Sequence, residues 1–108
     1  MAGRIDALLA LLERGQDSAL LRFSLGTEYA GIDEHARAIE HLQQAVAMDP
    51  QYSAAWKALG QAFTAAGHDD EARKTYRTGI EVAGQRGDRQ AAKEMTVFLK
   101  RLERKPPD

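Results

Sequence analysis

Leu25-Gly26-Thr27-Glu28-Tyr29 and Leu59-Gly60-Gln61-Ala62-Phe63 lie 34 residues apart, and the same step carries Ala38 onto Ala72 and Leu42 onto Tyr76. A fixed period of this kind denotes one supersecondary unit, copied and stacked, with each copy burying its apolar face against the next. In each copy an aromatic residue follows the Gly by three positions, a small Ala comes nine later, and a bulky side chain four after that. The pattern predicts a pair of helices joined by a turn.

Gly26 and Gly60 fall in the middle of helical patterns, where Gly costs about 1 kcal/mol relative to Ala. Close approach of two helices offsets such a loss. Ala38 and Ala72 on the partner helices are also small, so each pair is expected to meet backbone against backbone, with Tyr29 and Phe63 filling the space beside the contact.

The spacing resembles the tetratricopeptide repeat. Trp56, Leu59, Gly60, Phe63, Ala72 and Tyr76 follow that family's W-x2-L-G-x2-Y…A-x3-F pattern, while Gly79 and Gly84 stand where Ala and Pro are usual. In the first copy Leu25, Gly26, Tyr29, Ala38, Ala45 and Pro50 agree, Leu42 is acceptable, and Arg22 replaces the Trp. The resemblance implies an all-α fold, a short α-solenoid of antiparallel helix pairs with about six helices. It covers roughly residues 19–86.

Working outward from the two copies, residues 19–52 and 53–86 form the repeats. Ile5, Leu8, Leu9 and Leu12 make one apolar stripe, which predicts an N-terminal covering helix within residues 1–16 that ends at Gly15. Asp17 or Ser18 is expected to cap the next helix, which stops at Gly31. Asp33 is expected to cap a helix to about Met48, Ser53 one to Ala66, and Asp69 begins one that closes after about Val82 through Gly84 and Gly87. Residues 87–105 lack the Leu-Gly pair. With Asp88 as cap and a stripe of Ala91, Ala92, Met95, Phe98, Leu99 and Leu102, they read as a C-terminal covering helix, and 106–108 as a frayed tail.

The 108 residues make one domain, 44% apolar and 29% charged. Fifteen basic against sixteen acidic residues leave a net charge of -1, which argues against general attraction to nucleic acid or to an anionic membrane. With no cysteine there is no disulfide, thiolate nucleophile or thiolate metal site. No stretch approaches the roughly 18 apolar residues that span a bilayer, and the apolar run from Ala7 to Leu12 is bracketed by Asp6 and Glu13, unlike a signal segment. A cytoplasmic location is expected.

No residue pattern points to catalysis, a cofactor or a metal. His35 and His41 are six residues apart on one helix, about 600 degrees around its axis, and so face opposite ways. Asp69, Asp70 and Glu71 beside His68 suit the positive end of a helix dipole better than a cation site. There is no G-x-S-x-G, H-E-x-x-H, P-loop or dinucleotide fingerprint, so the protein reads as no enzyme.

What the resemblance implies instead is an adaptor with a protein or peptide partner, held in the concave groove lined by the first helix of each pair. Residues facing away from the packing stripe then form the partner site: Leu20, Phe23, Thr27, Ala30, Lys57, Gln61 and Thr64. Phe23 is either a wall of that groove or covered by a terminal helix. The clamp with which some family members hold a C-terminal carboxylate is absent, because the places that match its cations and amides hold Phe23, Thr27, Ala58, Asp88 and Ala92. Two other readings stand beside the groove. The stripe of Met95, Phe98 and Leu102, or the Leu9/Leu12 edge, would make a weak homodimer of a chain otherwise monomeric. The basic run through Lys100, Arg101, Arg104 and Lys105 would meet an acidic partner or nucleic acid.

Overall fold

The structure, a computed structural model, describes residues 3–105. Six helices follow one another: α1 Arg4–Glu13, α2 Ala19–Gly31, α3 His35–Met48, α4 Ser53–Ala65, α5 Asp69–Arg86 and α6 Arg89–Arg104. No strand occurs among the described residues, and the tail expected at 106–108 lies outside them.

Each helix packs on its successor. In addition α2 touches α4 and α4 touches α6, whereas α3 and α5 do not meet. Helices that are closer together on one side than on the other curve the stack toward the closer side, so α2, α4 and α6 line the concave face. At 43 × 32 × 19 Å the molecule is a slab about two helices thick.

The glycines explain how the layers come so close. A Cβ on Gly26 would overlap the Leu42 side chain, and one on Gly60 the Tyr76 ring. Gly79, a departure from the family pattern, serves the same end: a Cβ there would stand 2.9 Å from the Trp56 Cβ and 2.5 Å from the Met95 sulfur. It is the point where α5 meets both α4 and α6. Leu25, Leu42, Tyr76 and Met95 are almost wholly enclosed around these contacts.

Turn chemistry repeats as the sequence does. Backbone N–H groups of Gln16, Glu34, His68 and Asp88 each donate to the carbonyl five residues back, at 2.8–3.1 Å. Each follows a residue in the left-handed region, namely Gly15, Asp33, Gly67 or Gly87. Asp33 therefore does not cap α3 as expected. With φ of 61° it makes the reversal, in the 34-residue register of Gly67, and α3 begins two residues later with no side-chain cap. Gly31 is the last residue of α2, where the helix was expected to stop.

Two other caps are as read, and Ser53, like Asp33, is not one. Ser18 accepts from the Leu21 N–H at 3.0 Å, and Asp88 from that of Ala91 at 3.2 Å. Ser53 caps nothing. It is the first residue of α4, and its hydroxyl donates to Asp88 at 2.7 Å, which ties α4 to the start of α6 and helps hold the Asp88 carboxyl below its usual range. The fifth helix also runs on to Arg86 through Gly84, where a Cβ would meet nothing. Because of that extra turn α6 starts 36 residues after α4 rather than 34.

Trp56 lies at the α4–α5 contact but is only half-buried, and its indole N–H donates to the Pro50 carbonyl at 2.9 Å. Its counterpart in the first pair, Arg22, makes a polar cluster instead. Arg22 forks onto both Asp17 oxygens at 2.8 and 2.9 Å and reaches His41 Nδ1 at 3.2 Å. His41 is buried and stacked on Tyr29, with ring centroids 5.5 Å apart. Burial first, and the Arg22 charge second, hold its pKa below 6.5, so the neutral ring accepts the Arg22 hydrogen bond.

Three outcomes follow from this packing. Gly60→Ala should lose about 1–3 kcal/mol to overpacking against the Tyr76 ring, whereas Gly84→Ala, in open helix, should gain about 0.5–1 kcal/mol; urea denaturation reads both, and a stabilised Gly60→Ala would contradict the close-contact account. Trp56→Ala should cost about 2–3 kcal/mol, below the usual 3–5 for a fully buried aromatic. Since His41 is harder to protonate folded than unfolded, its contribution is complete above pH 6.5 and is lost as pH falls below that value. Between pH 7.5 and 5.5 the melting temperature should therefore drop further in the wild type than in His41→Gln.

Candidate peptide-binding face

At the C-terminal ends of α4 and α6 the concave face opens into a cleft of about 360 Å³. Gln61, Thr64 and Ala65 of α4 form one wall, and Phe98, Arg101, Leu102 and Lys105 the other, with Tyr76 of α5 between them. The floor is aromatic and aliphatic. Tyr76 and Phe98 tilt against each other with centroids 5.7 Å apart, and burial raises the Tyr76 pKa, keeping the phenol neutral. Helix geometry explains why α6 presents these groups together: Phe98, Arg101, Leu102 and Lys105 recur at intervals of three, one and three, along a single face.

Cations stand at the mouth. The Arg101 guanidinium lies over the Phe98 ring, 5.8 Å from its centroid, and no ion-pair partner for Arg101 occurs among the described residues. Lys105 donates to Asp69 at 2.8 Å, which holds that carboxyl below its usual range. Arg73 secures the last turn of α6 from behind by donating to the Leu102 carbonyl at 3.0 Å.

The seven residues expected to form the groove divide among three places. Gln61 and Thr64 border the cleft, with the Thr64 hydroxyl donating to the Gly60 carbonyl at 2.8 Å. Leu20, 65% exposed, borders a shallower hollow of about 270 Å³ with Leu8 and Leu11 of α1. Phe23, Thr27, Ala30 and Lys57 border neither. Phe23 is half-buried, and Tyr52 of the turn before α4 packs on it with ring centroids 5.0 Å apart. Lys57 is no free cation, since its Nζ lies 3.4 Å from both oxygens of Glu94. The 36-residue offset brings Glu94 there, where the 34-residue period had pointed to Ala92.

Sequence reasoning missed Tyr76, Phe98, Arg101, Leu102 and Lys105 as neighbours of Gln61. Tyr76 was assigned to packing and the basic run to a separate patch; the missing signal was that α6 lies beside α4. The proposed dimer stripe is also used up internally, because Met95 and Leu102 are buried within the fold and Phe98 packs on Tyr76. No group of three or more His, Asp or Glu able to hold a metal ion occurs among the described residues, and no helix there is long and apolar enough to cross a membrane.

The tetratricopeptide-repeat family profile matches residues 33–95, more than half of the sequence. The chain belongs to the tetratricopeptide-repeat family. A TPR repeat-containing protein of Pseudomonas aeruginosa is 50% identical over 100 residues, covering 93% of this chain and 95% of that protein. Among solved structures, a Bordetella parapertussis protein at 42% identity superposes with a TM-score of 0.85, over 96% of this chain and 90% of that one. The tetratricopeptide repeat domain protein from Salinibacter ruber follows at 28% identity and 0.75, over 81% and 97%. Repeats of this family generally mediate protein–protein interaction, and its members are typically non-enzymatic.

If the Lys105–Asp69 pair is only a surface contact, Lys105→Ala should change stability by no more than about 1 kcal/mol. Phe98→Ala, which removes half the floor and its packing on Tyr76, should cost about 2–4 kcal/mol. Denaturant midpoints of the two variants compare them directly.

Proposed function

We propose that this protein is an interaction module that holds a peptide or protein segment against the concave face of α2, α4 and α6. The observation that carries this is the cleft between α4 and α6, where half-buried Phe98 lies above buried Tyr76 and Leu102 beside polar Gln61 and Thr64. Apolar surface with a few polar groups at its rim is the usual make-up of a site that grips a ligand side chain. A cytoplasmic place of work and a role without catalysis accord with this reading.

The family's groove and this chain's own geometry differ in emphasis. Phe23 and Lys57 already have partners within the fold, so the α4–α6 end supplies more unpaired contact surface than the α2 end. Photo-cross-linking from Gln61 tests the reading. A cross-linker there should trap a partner that one at exposed Gln44 of α3 does not, and equal trapping from both positions would move the site off this face.

Self-association is the second reading, now through the other end. Leu20 is exposed beside Leu8 and Leu11, and α1 has no fully buried residue. Sedimentation equilibrium of the wild type against Leu20→Asp tests it: a concentration-dependent mass lost in the variant supports the dimer, and a constant monomer mass removes it.

A further inference from the structure

We infer that the α4–α6 cleft selects an acidic segment of a partner protein, one that places an apolar side chain against Phe98 and an adjoining carboxylate on Arg101. This rests on the reading of the concave face as a binding surface and gives it a ligand chemistry. Three observations carry it.

The first is charge at one rim only. Arg101 borders the cleft with no ion-pair partner among the described residues, Lys105 beside it is paired with Asp69, and the α4 wall offers neutral Gln61, Thr64 and Ala65. A segment lying in the cleft meets positive charge on one side and no negative charge opposite, so carboxylates gain and cations lose.

The second is the state of Arg101. Its guanidinium carbon stands over the Phe98 ring, 5.8 Å from the centroid, a cation–π contact that keeps the charge beside the apolar floor. A guanidinium held near an aromatic ring loses less freedom on receiving a carboxylate than a wholly free one, and its planar fork can offer two parallel N–H donors. Cations also suit the negative end of a helix dipole, and Arg101 and Arg104 both lie in the last turn of α6. The dipole accounts for their presence on that turn, though not for the aromatic floor beneath Arg101.

The third is size and polarity. About 360 Å³ with Tyr76, Phe98 and Leu102 as floor is at the lower end of ligand pockets, suited to one large side chain rather than a folded surface. A nucleic-acid strand would need further phosphate contacts along its path, and the net charge of -1 supplies no general attraction.

The test uses the full chain labelled with 15N and four probes: a soluble eight-residue peptide with one Phe flanked by Asp and Glu, the same peptide with Lys in place of the acids, the acidic peptide with Gly in place of Phe, and an eight-nucleotide oligothymidylate. The acidic Phe peptide should shift the amide signals of Gln61, Ala65, Phe98 and Arg101. Its affinity should exceed that of the Lys peptide and of the Gly peptide at least fivefold, and should weaken as salt rises from 50 to 300 mM. Arg101→Gln should weaken it at least threefold and Arg101→Glu tenfold, while Arg14→Glu, at the far end, leaves it unchanged.

Equal binding of the Lys peptide at these same residues would overturn the acidic preference and leave the groove reading standing. Shifts confined to other faces, or none at millimolar peptide, would overturn both the preference and the cleft as a peptide site. Tighter binding of the oligonucleotide would overturn the inference and assign the rim to nucleic acid.

Discussion

Close backbone approach is the constraint on which this architecture depends. At Gly26, Gly60 and Gly79 the facing side chain occupies the space a Cβ would need. Each glycine gives up about 1 kcal/mol of helix propensity, and in return Leu42, Tyr76 and Met95 are sealed from water between helices. Burying a side chain of that size stabilises by about 1.5–3 kcal/mol, so the exchange favours the packed form. At Gly79 the same kind of contact sets α5 against α4 and α6 at once. Core packing and layer spacing thus share one cause.

Much of this was legible because the period is a strong signal. Leu25 and Leu59, Tyr29 and Phe63, and Ala38 and Ala72 are all buried in register, as matching positions in stacked units must be. Local caps were less legible, since Asp33 and Ser53 have the right chemistry for helix starts yet are diverted, one into a left-handed turn and one to Asp88. A side chain that suits several roles takes the one its three-dimensional neighbours complete, and those neighbours are distant in sequence. The extra turn of α5 was missed for the opposite reason. Two glycines near its end read as a stop, but only Gly87 has the left-handed conformation that ends the helix.

The site was half legible. Gln61 and Thr64 followed from helical phase alone, which depends only on short-range geometry. Phe98 and Arg101 required knowing that α6 begins 36 residues after α4, because an error of two residues turns a helix by about 200 degrees and exchanges its inner and outer faces. Lys57 illustrates the same difficulty in electrostatic terms. Its place off the packing stripe follows from helical phase, but the charge of Glu94 beside it depends on that offset.

The contact pattern has a consequence for how the molecule moves. Helix α1 touches α2 and nothing further along the stack, and none of its residues is fully buried. Support in such an array passes from neighbour to neighbour, so detachment of α1 removes little from α6. Local opening free energies should accordingly be graded, lowest in α1 and highest where α4 and α5 are held on both sides. Amide protons would exchange with solvent in that order, and the α4–α6 cleft would stay formed while the opposite end breathes.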